Sequence, residues 1–159
     1  MKNKKDIIDI ICQSHGEIRE KLVFIKELLV VFDKDNVWKD IRDVLNFFDK
    51  NIVKHFKDEE ILISVLKRDT QLQTDESEII IQILQEHKEL LEKYEDLKKI
   101  AEKFDYDNQT IKENFVMLSH NIIEKLLSHA EYEDKNFFPF VRQKLKKKQL
   151  KEIEEMITK

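Results

Sequence analysis

Four histidines occupy positions where an amphipathic helix would carry leucine: His15, His55, His87 and His129. Two of them are followed four residues later by a glutamate, in His55-Phe-Lys-Asp-Glu59 and His129-Ala-Glu-Tyr-Glu133. Residues i and i+4 share a helix face, so each histidine and its glutamate point the same way. One buried histidine is ordinarily a hydrogen-bonded packing residue, but four with two carboxylates need another account. Burying two carboxylates costs several kcal/mol each unless charge compensates them, and neutral imidazoles supply none. Without compensation the crowded carboxylates are expected to raise their own pKa and take up protons. Cations are the natural missing component. Imidazole with carboxylate suits iron, zinc, manganese or copper, and Cys12 alone cannot build a thiolate site. Two bridging carboxylates with open positions left over favour a non-haem di-iron centre.

The spacing brings the four histidines to one height. In an antiparallel hairpin, residues equidistant from the turn lie level. His15 and His55 are centred on residue 35, His55 and His87 on 71, and His87 and His129 on 108. Each centre falls in a polar segment: Asp33 to Asn36, Arg68 to Ser77, and Asp105 to Asn108. At a rise of ~1.5 Å per residue the histidines sit roughly 24 to 32 Å from the turns, and neighbouring axes roughly 8–10 Å apart let them meet. The intervals His15–His55 and His87–His129 are 40 and 42 residues. The site therefore reads as two half-sites, each with two histidines and one glutamate, holding two metals about 3.5–4 Å apart.

The elements that carry them are long helices. Apolar residues step by three and four through Ile8, Ile11, His15, Ile18, Leu22, Ile25 and Leu29, then through Leu45, Phe48, Ile52, His55, Glu59, Leu62 and Leu66. A third ladder runs from Ile80 through His87 and Tyr94 to Phe104. A fourth runs Phe115, Leu118, Ile122, Leu126, His129, Glu133, Phe137, Phe140. Capping boxes are expected at Thr110 with Glu113 and at Asp75 with Glu78. Pro139 should kink or stop the fourth helix, and Phe140 to Ile157 should form a short extra C-terminal helix. With one glycine and one proline in 159 residues, turns are few and a strand-rich fold is excluded. The expected fold is all-α, an antiparallel up-down-up-down four-helix bundle in one domain, residues 1–159. A net charge of −4 and no long apolar run point to a cytoplasmic protein that binds neither nucleic acid nor membrane.

These pieces resemble the hemerythrin-like, His-His-Glu cation-binding family over essentially the whole chain. The resemblance rests on Ser14-His15-Gly16-Glu17-Ile18, the His-Phe-x-x-Glu-Glu run His55 to Glu60, the Glu-His-x-x-Leu run Glu86 to Leu90, and His-x-x-x-Glu-Asp before Pro139. It implies a carboxylate-bridged centre of two iron ions, with His15 and His55 on one, His87 and His129 on the other, and Glu59 and Glu133 between them. Asp134 competes with Glu133 for the second bridge, but a residue at +5 is turned about 140° from His129, which favours Glu133. Oxygen-carrying members have a further histidine where this chain has Leu91. The departure points to the four-histidine branch, with iron sensing and iron–sulfur repair under nitrosative stress among its functions. The implied function is binding of, or reaction with, O₂, NO or peroxide in sensing, stress defence or iron handling, alongside a redox partner protein. An enzyme repairing iron–sulfur centres or reducing NO or peroxide is the alternative, and a reversible oxygen carrier the third.

Several other residues carry expectations. Glu60 is expected behind the ligands or at the surface, and His120 off the core. Gly16 would leave space for a small ligand, and Tyr94 would hydrogen-bond one or simply pack. Cys12 is expected as a small buried hydrophobe. The basic run from Arg142 to Lys151 is expected as a solvated face.

Overall fold

Asp6 opens the first helix through a reciprocal cap: its carboxylate accepts from Asp9 N–H at 2.8 Å, and Asp9 accepts from Asp6 N–H at 3.2 Å. In the computed structural model, which describes residues 5–31 and 33–157, this helix, α1, runs Ile7–Val30. Residues 1–4, 158 and 159 and Phe32, which belong to the expected 1–159 unit, lie outside the described residues. The remaining helices are α2 (Val37–Phe47), α3 (Val53–Asp69), α4 (Thr74–Glu102), α5 (Gln109–Asn136), α6 (Phe138–Lys144) and α7 (Lys147–Ile157). No described residue is in a strand.

The helix expected through Leu45 and His55 is continuous but not regular. Phe48–Ile52 forms a π-helical turn joining α2 to α3, and Val53 N–H donates to Phe48 C=O five residues back. Val44 and Phe47 are the buried residues before it, and Leu45 is only half-buried. With α2 and α3 as one rod, α1, α3, α4 and α5 form a closed ring in which each packs on its two neighbours and α5 returns to α1. This is the up-down-up-down bundle.

The caps differ from expectation. α4 starts at Gln73, whose N–H is taken by Glu76 at 2.9 Å, and α5 at Asn108, whose side chain accepts from Ile111 N–H at 3.2 Å. In each case the helix begins early enough to enclose the expected capping residues, Asp75 and Thr110. The C-terminal piece is two helices, not one. α5 ends at Asn136, Pro139 sits in the first turn of α6, where its missing N–H costs nothing, and Leu145 turns extended before α7. α6 and α7 lie across the open end of the bundle against α1 and α3. They are tied there by Arg142 to Asp9, Lys144 to Glu76 and Arg68 to Glu152. Two residues of the basic run are thus cross-links, not a free solvated face.

The buried apolar residues fall into two clusters. One fills the half toward the first and third turns, around Leu22, Val44, Phe48, Leu97 and Phe115. The other fills the capped half, around Ile8, Leu66, Ile83, Phe137 and Val141. The polar layer between them contains the histidines.

Candidate metal centre

His15, His55, His87 and His129 are all buried, and Glu59 and Glu133 have no exposed surface. All six side chains predicted from the ladders meet in one layer. His15 Nε2 lies 3.4 Å from Glu59 Oε2 and 3.2 Å from Glu133 Oε1, while His55 Nε2 lies 3.2 Å from Glu59 Oε2. On the other side His87 Nε2 is 3.1 Å from Glu59 Oε1, and His129 Nε2 is 3.3 Å from Glu133 Oε2. Each carboxylate therefore turns one oxygen toward each histidine pair. The result is two four-residue groups, His15-His55-Glu59-Glu133 and Glu59-His87-His129-Glu133, each with ligand atoms within 4.8 Å of one another.

The outward nitrogens decide which way the rings are used. His15 Nδ1 bonds Asp134 at 2.9 Å, His87 Nδ1 bonds Glu60 at 3.1 Å, and His129 Nδ1 bonds Glu86 at 2.7 Å. His55 Nδ1 lies 2.8 Å from Ser14 Oγ, whose own proton goes to Ile11 C=O at 2.7 Å, so the ring donates to the hydroxyl. Every Nδ1 is a donor to an outer acceptor, which turns every Nε2 inward. This is the arrangement that orients imidazoles for a metal.

These four ties run around the bundle in one sense. Ser14, beside His15 on α1, holds His55 on α3, and Glu60, beside Glu59 on α3, holds His87 on α4. Glu86, beside His87, holds His129 on α5, and Asp134, beside Glu133, holds His15 on α1. The tie precedes the inward ligand on α1 and α4 and follows it on α3 and α5. One residue back on an ascending helix and one forward on a descending helix are the same rotation of about 100° seen from one end. Ser14 and Glu86 stand in the sequence motifs without a role of their own, and this alternation is the signal that would have assigned it.

The donor set fits a cation. Glu59 Oε2, both oxygens of Glu133 and His129 Nε2 are buried without a hydrogen-bond partner, a costly state that metal ligation would relieve. The layer compensates its charge partly through protons, on the imidazoles and not on Glu59 as expected. Burial works against a charged His15, but Asp134, Glu133 and Glu59 outweigh it and hold its pKa up to about 11. The same balance of burial against Glu133 and Glu59 raises His87 to about 10, and burial against Glu133 and Glu86 raises His129 to about 9. Burial would raise Glu59, yet His55, His15 and His87 hold it well below the usual carboxylate range.

The remaining residues sort clearly. Asp134 points outward to His15 and to the Arg19 guanidinium and does not enter the layer. His120 is half-buried and outside both groups. Gly16 is exposed, and a Cβ there would meet nothing within 4 Å, so it makes no room at the site. Tyr94 serves the π-turn instead of a ligand: its hydroxyl lies 2.7 Å from Asp49 Oδ1 and 3.0 Å from Leu45 C=O. Cys12 is half-buried against the capped cluster. Phe56 stacks on His87 at 4.0 Å between centroids, and Phe138 meets His15 edge-on at 5.5 Å. No described helix is long and apolar enough to cross a membrane.

Comparison with curated proteins and with solved structures finds no match. The family model for the hemerythrin HHE cation-binding domain matches residues 6–156, a span that includes all six inward side chains and all four outer ties, and the chain belongs to that family.

Proposed function

We propose that this chain holds two iron ions as a carboxylate-bridged non-haem pair and binds or reacts with a small oxidant, O₂, NO or peroxide, in sensing, stress defence or iron handling. The observation that supports this most is the sharing of Glu59 and Glu133 between the two histidine pairs. His15 and His55 would hold one ion and His87 and His129 the other, with both carboxylates common to the two. An iron pair supplies the redox chemistry that no side chain of the layer possesses.

The chain's own residues do the rest. Asp134, Ser14, Glu60 and Glu86 fix the rings, and Phe56 and Phe138 exclude water from their faces. Below the layer, Ile52, Leu90, Leu91, Tyr94 and Leu126 help to line an apolar cavity of about 10 Å³, space for one water-sized molecule. Leu91 also borders an outer groove that reaches His87. Leucine at this position leaves the His87–His129 pair without a third imidazole, which favours reaction over reversible storage. An enzyme turning over NO or peroxide is the second reading, and a turnover assay separates the two.

Metal analysis and visible spectra of anaerobically purified protein, before and after air, test the proposal. Two irons per chain and a ferric absorption that grows in air are expected. Colourless protein without iron after expression in iron-replete medium refutes it.

A further inference from the structure

The two halves of the layer receive the same inward ligands but different charges from behind. His15 is backed by Asp134, whose other oxygen is paired with Arg19, and His55 is backed by the neutral Ser14 hydroxyl. The formal charges behind this half cancel. His87 is backed by Glu60 and His129 by Glu86, and among the described residues neither carboxylate has a lysine or arginine within ion-pair distance. Two uncompensated carboxylates therefore stand behind this half. The nearby cations do not even the balance. Lys88 shares Glu60's groove with Glu92 and Glu95, and Lys125 shares Glu86's groove with Glu89. Arg142, on the His15 side, is itself paired with Asp9 and Asp6.

A carboxylate accepting from Nδ1–H pushes electron density into the ring and makes Nε2 a stronger ligand, and such outer partners are worth about 10–100-fold in metal affinity. A guanidinium on that carboxylate withdraws the effect. We infer that the two cation positions are unequal: the position between His87 and His129 fills first and holds its ion more tightly, the position between His15 and His55 is the exchangeable one, and Arg19 sets the difference. This rests on the metal-centre reading above. Arg19 acts only through Asp134 and is a tuning residue, not a ligand.

Calorimetric titration of the metal-free full chain with Co(II), with the d–d absorption followed in parallel, tests the inference. Two steps differing by about tenfold or more are expected. Repulsion between ions in equivalent positions also separates two steps, so the variants decide. Arg19→Gln should strengthen the second step several-fold and leave the first unchanged, and Arg19→Lys should restore the native second step. Glu60→Gln and Glu86→Gln should each weaken the first step about tenfold or more with little effect on the second. Identical steps, an Arg19→Gln effect on the first step, or glutamine variants that weaken only the second step would overturn the inference while leaving the metal centre standing. No Co(II) uptake at all would sink the metal-centre reading as well.

Discussion

His15 Nε2 and His55 Nε2 lie 2.8 Å apart, a separation that requires one proton between two nitrogen atoms. Two bare lone pairs would repel at that distance, and two N–H groups would collide. Both rings already donate through Nδ1, to Asp134 and to Ser14, so the bridging proton makes the His15–His55 pair a cation. A proton and a cation thus compete for the same place between the two rings.

Metal uptake must therefore displace protons. His15, His87 and His129 are held up to about 11, 10 and 9, so all three are charged at pH 7 and must lose a proton to ligate. Loading a weakly buffered metal-free sample at pH 7 should release up to three protons per chain, read with an indicator dye. Apparent affinity should rise with pH. Uptake without acidification would show that the imidazoles are already neutral at pH 7 and would overturn this account of the layer's charge.

Stability should follow the same protons. A folded pKa raised above the unfolded value of about 6.5 gives stability that is complete below that pH and lost as pH rises through the folded value. The melting temperature of the metal-free chain should accordingly drop from about pH 6.5 up to about pH 11, most steeply below about 9 where all three groups contribute, and by more than that of the loaded chain, whose imidazoles hold metal instead. Chelation at pH 7 should lower it as well, since binding to the folded state alone stabilises that state. Parallel pH profiles for the two forms would contradict this.

Glu133 and Asp134 are adjacent in the chain and opposite in use, which mutation can separate. Glu133→Gln should abolish uptake of a second metal, because it removes charge common to both ligand groups. Asp134→Asn should keep both metals with roughly 10–100-fold weaker binding at one of them. His129→Ala should cost at least half the metal content, whereas His120→Ala should leave it near the native value. Elemental analysis after desalting reads all four, and equal losses for His120→Ala and His129→Ala would mean the register of α5 is wrong.

Leu91 is partly buried one turn beyond His87, between the apolar cavity and the outer groove. Leu91→His should add an imidazole to the His87–His129 pair and slow oxidation of the reduced protein in air, followed by its visible spectrum. An unchanged or faster rate would remove Leu91 from the account of reactivity.

The inward layer was legible in the sequence because helix geometry is stiff: a residue four after a core seat has nowhere else to point. The level of the four histidines followed from counting to the turns for the same reason. What escaped was whatever depends on a neighbouring helix. Glu86 sits beside His87 in the chain but serves His129, and Ser14 sits beside His15 but serves His55. The π-turn at Phe48–Ile52 keeps Phe48 and Ile52 in the expected ladder, so nothing in the sequence marks it, and the hydroxyl of Tyr94 that meets it at Asp49 comes from another helix. The caps at Gln73 and Asn108 were displaced because several polar residues in each turn compete, and packing chooses among them.

The circular ties from α1 to α3, α4, α5 and back make the bundle a hoop and not a stack. In a stack, one member can slip and disturb only its neighbours' surfaces. In a hoop, every helix both grips and is gripped, so turning any one by a single residue, about 100°, releases two histidines together, its own and the next one along. Half-assembled versions of the centre are therefore penalised twice over, and the four helices settle into register as a set.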